Sequence, residues 1–594
     1  MARVCRVPLS FIFLRGQGIK VYSLVLKECQ DRGFCVPTRV VEGLRSDDGY
    51  EGAIVLEPQT GMYVEEVVAV QDYASLYPSS IIAENLSHDT LVTDPAYSDV
   101  PGVTYKEVEY DVYAGKGDER TVVGRRVCRY AQSRPGIIPS ILQQLLKARK
   151  DTRGRMKHLR ICDADGREVC RGPAAADGAG VVDSATGAVR AVQPGETLSD
   201  AHDAFAKAVL DGMQLAYKIT ANSIYGQMGA PTSPVYLKDI AACTTAVGRG
   251  MIMQAKAFME THYGANVIYG DTDSIFCIFP QIKAAGLVGD AAIAKAMELS
   301  DAATSEFNKG LTAPQFLEAE KCFFPFCLLS KKRYIGMMYP QGSTVGKRKE
   351  MGVALKRRDN APIVKHVFGG VIDIILKERD VFKSVEFLNA CLGRLIEGGY
   401  PMEDLVVTKS LRATYSDPTR IAHKVLAERI GERDPGNKPQ SSDRVKYVFV
   451  VKPDAKLQGE RIETPEFIRE HDLLIDYRFY ITNQLLNPIA QMYAIVLEQL
   501  PGYKHPKRYW DSVRQDAERT CATAKKAADK VQTLREKEVD QLLFQPHLKR
   551  LDNLRTNKAK QAFVTKFFGA GAAKPKAKAV KKKTLRLDLE TDLE

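Results

Sequence analysis

The sequence predicts an α+β fold in which an antiparallel sheet carries paired carboxylates. Apolar and β-branched residues in 266–279 flank the tip Gly270-Asp-Thr-Asp273, a pattern typical of a β-hairpin with a tight turn. The run Val67-Val-Ala-Val70 predicts a buried strand that leads directly to Asp72. Apolar residues at helical spacing in 15–27 and 139–153 add amphipathic helices, so strands and long helices share one chain.

The two aspartates of the hairpin tip are candidate metal ligands. Because side chains alternate along a strand, we expect Asp271 and Asp273 to point the same way. Two carboxylates that face together repel each other unless a cation lies between them, and hard oxygen ligands suit Mg²⁺ or Mn²⁺. Taken alone, an ordinary Asp-rich turn explains this stretch equally well.

Composition sets broad limits on the class of protein. A chain of 594 residues that is 45% hydrophobic can bury several cores, so we expect three or more domains. The formal net charge of +12 favours a polyanionic partner, although a solvated surface and a basic tail account for much of it. The 12 cysteines include no C-x-x-C pair, which favours reduced thiols over a zinc or iron–sulfur site.

No apolar run is long enough for a membrane span, and Val7–Leu14 is too short for a secretory signal. We therefore expect no membrane partner and a nuclear or cytoplasmic location.

The stretch from Asp72 to Ile82 predicts a strand, a turn and a new helix. The turn's backbone N–H groups and the helix N-terminus would form a cradle for phosphate oxygens, with Asp72 beside it as a metal ligand. A helix cap followed by proline is the simpler alternative.

Three motifs now resemble those of family B DNA polymerases. Asp72-Tyr-Ala-Ser-Leu-Tyr-Pro-Ser-Ser-Ile81 is similar to motif A, and Tyr269-Gly-Asp-Thr-Asp-Ser274 is similar to motif C. Between them, Lys218-Ile-Thr-Ala-Asn-Ser-Ile-Tyr-Gly226 resembles motif B, whose Lys218, Asn222 and Tyr225 share one helix face. A core helix would explain the third motif alone, but not three motifs in this order.

Other segments of the chain show weaker similarity to the family. The helix 139–153 resembles the first fingers helix of the family, with Arg149 and Arg153 one turn apart. A solvated basic face would otherwise be the preferred interpretation. The Gly-, Ala- and Asp-rich segment 163–202 is an insertion with short β-like pieces and no assigned role.

The resemblance implies a right-hand polymerase with a palm, helical fingers and a mainly helical thumb. The palm would hold the antiparallel sheet with the carboxylates. The implied segments are 1–50 as a remnant following an exonuclease domain, 51–135 and 236–360 as palm, 136–235 as fingers, 361–555 as thumb, and 556–594 as a disordered tail.

The resemblance also implies the site residues. Asp72, Asp271 and Asp273 would hold two Mg²⁺ ions, with Mn²⁺ as a substitute and with Asp271 the less certain ligand. The dNTP would contact Ser75, Leu76, Tyr77, Arg149, Arg153, Lys218, Asn222 and Tyr225, and Tyr77 would exclude ribose. Primer and template would contact Tyr269, Lys331, Lys332, Arg333, Tyr334 and Lys409.

A peptide near the C-terminus suggests a partner. Gln561, Val564, Phe567 and Phe568 have the spacing of a peptide that binds the sliding clamp PCNA, and one helical turn would present the three apolar residues together. The basic stretch 574–583 fits a nuclear signal, a DNA tether or a solvated tail.

The start of this chain resembles the part of the family's sequence just after the last exonuclease motif. The core of the chain is most similar to the delta group of the family. A truncated gene, a fragment, or a protein whose N-terminal half is encoded separately would each explain this, and a large eukaryotic DNA virus fits as the source. The expected function is template-directed DNA synthesis without proofreading. The alternative is an inactive truncated polymerase that only binds DNA and clamp.

Overall fold

The computed structural model describes residues 1–36, 49–115, 120–175, 180–506 and 508–568. They divide into two compact units, Met1–Val353 and Ala354–Glu594. This division lies close to the boundary expected between palm and thumb.

The first unit is organised around an antiparallel sheet of seven strands in the order β11-β12-β3-β13-β14-β15, with β2 also paired to β13. The strands of this unit are β1 (Gly49–Tyr50), β2 (Gly61–Tyr63), β3 (Val68–Tyr73), β4 (Tyr105–Ala114), β5 (Thr121–Ala131), β6 (Leu159–Cys162), β7 (Glu168–Gly172), β8 (Gly180–Val182), β9 (Val189–Ala191), β10 (Thr197–Asp200), β11 (Asn266–Asp271), β12 (Ser274–Ile278), β13 (Leu317–Ser330), β14 (Arg333–Pro340) and β15 (Lys347–Met351).

The helices of the first unit are α1 (Ala2–Cys5), α2 (Leu9–Leu14), α3 (Gln17–Arg32), α4 (Leu76–Ala83), α5 (Ile137–Arg155), α6 (Ala204–Gly229), α7 (Lys238–Tyr263), α8 (Pro280–Ala284) and α9 (Gly289–Asn308). The amphipathic helices expected at 15–27 and 139–153 are thus present as α3 and α5.

The central sheet is covered on both faces because its strands are apolar on both sides. On one face, Ala69 and Cys277 pack against the buried sides of α7 and α9. On the other face, Val68 and Val70 pack with a cluster of aromatic rings. This aromatic layer consists of Tyr63, Tyr269, Phe276, Phe323, Phe326 and Tyr334.

Helices α5 and α6 pack against each other, and the insertion lies between them in the chain. The insertion is a small β-module: β6 pairs with β7 and β10, β8 pairs with β9, and Ile161, Cys170 and Val181 form its core. Asp200 pairs with Leu159, so the end of α5 and the start of α6 lie side by side. The two helices are therefore antiparallel, and the expected β-like pieces are present.

The second unit is mainly helical and has one small sheet, β16-β17-β18. Its elements are α10 (Pro362–Asp373), α11 (Val381–Ile396), β16 (Val407–Ser410), α12 (Ala422–Arg433), β17 (Arg444–Phe449), β18 (Ile462–Glu463), α13 (Pro465–Glu470), α14 (Tyr477–Phe479), α15 (Leu486–Tyr493), α16 (Tyr509–Thr520), α17 (Ala524–Val539) and α18 (Gln545–Phe568).

The tail expected from 556 begins within α18, which continues to Phe568, and its remainder lies outside the described residues. The basic stretch 574–583 lies outside the described residues. In the part of the chain that the structure describes, no helix combines the length and hydrophobicity of a membrane span.

Candidate active site

The carboxylates of Asp72 and Asp273 are brought together by two neighbouring strands of the central sheet. In the pairing of β3 with β12, Asp72 lies opposite Ser274, the residue after Asp273. The backbone N–H of Tyr73 donates to the Asp273 carbonyl at 2.8 Å, which ties the hairpin tip to the end of β3. The strand and hairpin predicted from the sequence therefore meet at one edge of the sheet.

The surroundings of this pair disfavour negative charge. Burial, together with the Asp273 carboxylate and Glu320, raises the pKa of Asp72 to about 8. Burial also raises the pKa of Asp273, as do Asp271 and Glu320, whereas Lys218 and a backbone N–H lower it. The pair is thus an acidic centre whose negative charge is incompletely compensated.

Asp271 has a different environment from the other two aspartates. Its carboxylate accepts from Lys332 Nζ at 2.8 Å and from Thr272 Oγ1 at 3.0 Å. Thr272 at the tip is left-handed, with φ of 61°, and this breaks the strict alternation that we expected along the strand. Among the described residues, no three Asp, Glu, His or Cys side chains form a metal-binding group.

The Asp72–Asp273 pair nevertheless fits divalent cations by its chemistry. Its hard carboxylate oxygens and uncompensated charge are what Mg²⁺ and Mn²⁺ prefer. Two glutamates that the sequence analysis missed add negative potential. Glu318 lies opposite Asp72 on the neighbouring strand β13, and Glu320 raises the pKa of both aspartates. Their alternation in Leu317–Lys321 is a strand signal that could have placed them on one face.

The turn after β3 forms the start of α4. Ser75 adopts the left-handed conformation, with φ of 56°, and its carbonyl accepts from Ser79 N at 2.9 Å. The first N–H groups of a helix have no intrahelical acceptor, so those of Leu76 and Tyr77 remain available. The start of α4 thus lies directly after Asp72, at the place where the phosphate cradle is predicted.

The Tyr77 ring lies against Tyr225 of α6, with 4.4 Å between ring centroids. Burial, together with the negative charge of Asp273, raises the pKa of Tyr77 to about 12. The Tyr225 side chain is also hydrogen-bonded to Tyr50, a residue that the sequence analysis did not single out. Motifs A, B and C therefore meet at Tyr77.

The basic residues of the two antiparallel helices approach the acidic centre. Lys218 on α6 is close enough to lower the pKa of Asp273, and Asn222 is exposed on the same helix. Arg149 on α5 interacts with Glu318, while burial and the nearby Arg153 lower its pKa. Its buried Nε has no hydrogen-bond partner among the described residues, as expected of a group that binds an anion.

The residues predicted to contact DNA in this unit are three basic residues and two buried tyrosines. Lys331 and Lys332 are exposed in the turn between β13 and β14. Lys331 pairs with Glu57 at 2.5 Å, and Arg333 is half-buried at the start of β14.

Tyr269 and Tyr334 are buried in the aromatic layer, so direct ring contact with DNA is not supported. The Tyr269 hydroxyl accepts from Lys332 N at 2.7 Å and is hydrogen-bonded to Asp271, so this tyrosine positions other site residues.

In the second unit, Lys409 is exposed on β16, where Thr408 pairs with Lys446 of β17. A cleft of about 550 Å³ in this unit is lined by five basic residues, Arg358, Lys365, Arg444, Lys446 and Arg469. Two acidic residues, Glu403 and Glu466, also line it. The backbone at Gln561, Val564, Phe567 and Phe568 is helical in α18, but their side chains lie outside the described residues.

A structural comparison defines the class of the fold. The chain resembles the family B DNA polymerase of the archaeon Pyrobaculum calidifontis with a TM-score of 0.53 and 23% identity, over 84% of this chain and 53% of that one. The fold is therefore the α+β polymerase fold.

Sequence comparison then identifies the family. The model of DNA polymerase family B matches residues 7–171 and 192–496, with a gap inside the insertion, and the chain belongs to this family. It is 49% identical to a DNA polymerase of Pyramimonas orientalis virus, over 93% of this chain and 47% of that protein. It is 33% identical to the DNA polymerase delta catalytic subunit of Caenorhabditis elegans, over 84% of this chain and 41% of that protein.

The chain thus spans about half, or less, of the length of these relatives. The expected family B, delta-like character and the similarity to a viral polymerase are confirmed.

Proposed function

We propose that this chain catalyses template-directed addition of dNTPs to a primer 3′-OH. The observation that carries this proposal is the half-buried Asp72–Asp273 pair, which lies beside the start of α4 and within electrostatic reach of Lys218. Membership of DNA polymerase family B supports the same activity.

Asp72 and Asp273 would hold two Mg²⁺ ions, with Mn²⁺ as a substitute. Asp271 would contribute once released from Lys332. When bound, these ions would supply charge neutralisation and Lewis-acid assistance to phosphoryl transfer with release of pyrophosphate. The residues of the chain orient the nucleotide. The backbone N–H groups of Ser75, Leu76 and Tyr77 bind phosphate oxygens.

The other nucleotide contacts come from side chains. Arg149, Arg153 and Lys218 neutralise the triphosphate, and Asn222 and Tyr225 face the nascent base pair. The Tyr77 ring excludes the ribose 2′-OH.

The two units would divide this work. The central sheet is the palm, α5 and α6 are the fingers, and the second unit is the thumb. Primer and template would contact Lys331, Lys332 and Arg333 in the first unit. In the second unit the duplex would contact Lys409 and the basic cleft, whose five cations outnumber its two glutamates.

Further partners are proposed from the sequence. Gln561, Val564, Phe567 and Phe568 would bind a sliding clamp of the PCNA type, so the enzyme would work in replication. Its place would be the nucleus or, for a viral protein, a nuclear or cytoplasmic replication site.

The test is primer extension by the purified chain with Mg²⁺ and dNTPs, without and with a loaded clamp. Asp273→Ala should reduce extension by at least ~10³-fold, because it removes half of the acidic centre. The matched control is Asp99→Ala, at an exposed carboxylate of the same unit, which should retain full activity. A Phe567→Ala/Phe568→Ala variant should extend normally alone but lose stimulation by the clamp.

No extension by a folded wild-type chain would overturn the proposed activity. If that chain still bound primed DNA and clamp, it would be the non-catalytic binding module instead. Equal stimulation of the Phe567→Ala/Phe568→Ala variant would overturn only the clamp assignment.

A further inference from the structure

Gly248 of α7 lies directly behind the Tyr77 ring. It is buried, and a Cβ at this position would lie 3.0 Å from Tyr77 Cε1 and 3.4 Å from Leu76 Cδ2. On the α6 side, the same ring is in contact with Tyr225. Tyr77 is therefore held between two helices, and residue 248 decides how close one of them comes.

The backbone of α7 is firmly placed at this point. Arg249 donates to the carbonyl oxygens of Glu51 and Gly52 at 2.8 and 2.9 Å, and Thr245 Oγ1 donates to the Glu51 carbonyl at 2.8 Å. These bonds fix the helix on both sides of Gly248. An added methyl group would therefore displace the Tyr77 ring by a few tenths of an ångström rather than move the helix.

We propose that Gly248 is a specificity-determining position, which sets the place of the Tyr77 ring and thereby the space left for the sugar of the incoming nucleotide. This inference rests on the proposed function, because it assumes that Tyr77 faces the sugar. A ring pushed away from α7 moves toward α6, the helix that carries Lys218 and Asn222, so the nucleotide space becomes narrower. Gly248 acts through Tyr77 and is a positioning residue.

The chain supplies a matched control on the same helix. Gly250 is exposed, and a Cβ there meets nothing within 4 Å. Gly248→Ala and Gly250→Ala gain the same helix propensity, so a difference between them reports the contact with Tyr77.

Single-nucleotide incorporation with dATP and with ATP gives the first readout. Gly248→Ala should raise the KM for dATP and increase the preference for dATP over ATP by about three- to tenfold, since a 1 Å misplacement in an active site can cost ~10²-fold. The kcat for dATP should stay within about twofold of wild type, because the carboxylates are untouched. In a Tyr77→Ala background the same substitution should leave the preference unchanged.

Thermal unfolding of the same four variants and the wild type gives a readout that needs no activity. Gly248→Ala should lower Tm by about 2–4 °C relative to Gly250→Ala, because the added methyl overpacks the site. This loss should vanish in the Tyr77→Ala background.

A preference for dATP that matches Gly250→Ala or falls below it would overturn the proposal, as would additive unfolding effects. A wild-type chain that fails to extend primers would instead overturn the proposed function, while the unfolding cycle would still decide whether Gly248 positions Tyr77.

Discussion

The three aspartates of the site differ in how their charge is balanced. Lys332 neutralises Asp271, whereas Asp72 and Asp273 face each other with only partial compensation. In the absence of a cation, the protein must either hold a proton on this pair or bear the repulsion. Its stability should therefore depend on pH in a direction that can be worked out.

The folded-state pKa of Asp72, about 8, lies above the ordinary value of 3.8. Between these values the folded protein keeps a proton that the unfolded chain has released, so the free energy of unfolding falls as pH rises from about 4 to about 8. We expect Asp72→Asn to be about 2 kcal/mol more stable than wild type at pH 9 in EDTA, and equally stable at pH 4.

Urea unfolding across this pH range measures the difference. Addition of Mg²⁺ at pH 9 should stabilise the wild type more than Asp72→Asn, because the cation replaces the proton. Parallel pH profiles for the two proteins would refute this account of the site.

The sequence predicted which residues meet at the candidate site, but not how the charge of each is balanced. Asp72, Asp273, Lys218 and Tyr77 lie at one site, as their motifs indicate. The pairing of Asp271 with Lys332 could not be foreseen, because it depends on the left-handed Thr272 and on a distant turn. The burial of Tyr269 was also missed, because it depends on aromatic rings that come from distant strands of the same sheet.

At the scale of elements, the aromatic layer supports the hairpin that carries Asp271 and Asp273. Phe276 is 2% exposed, and its ring centroid lies 5.2 Å from that of Tyr269 and 5.4 Å from that of Tyr334. These rings come from β11, β12 and β14, so one residue connects three strands. Alternation along each strand predicted the buried sides, but not which aromatic rings would meet.

Phe276→Ala should cost about 3–5 kcal/mol of unfolding free energy, because it leaves a cavity under the hairpin. Phe13→Ala is the control, since that ring is 80% exposed and its loss should change stability by less than about 0.5 kcal/mol. Urea denaturation monitored by circular dichroism measures both. Similar costs for the two variants would contradict the supporting role of the layer.

At the scale of the whole molecule, the excess of basic residues would give the proposed DNA binding a strong electrostatic component. The formal charge of +12 and the basic cleft of the second unit both favour phosphate contacts. The length of the chain predicted three or more domains, whereas the described residues divide into two compact units. The finer division into palm, fingers and thumb stays a prediction. The fold of the insertion could be predicted only in part, since short polar strands carry a weak signal in the sequence.

Affinity for primed duplex should fall steeply between 50 and 200 mM salt. Lys409→Ala/Lys446→Ala should reduce the slope of log K against log salt by about 2, whatever the DNA sequence. Lys283→Ala should not change it, because Glu65 and Glu66 already neutralise that ammonium group. Fluorescence anisotropy measures all three proteins, and an unchanged slope in the double variant would remove these lysines from the interface.

The chain enters the β-module after α5 and leaves it before α6 at neighbouring points, where Leu159 of β6 pairs with Asp200 of β10. The spacing of the two helices is therefore fixed at the base of the module and is independent of its contents. Evolution can lengthen, shorten or replace this segment without disturbing Arg149 or Lys218, and the family match is indeed interrupted there, at 172–191. For the same reason, the turn at 183–187 is a natural point at which to attach a label or a fused domain.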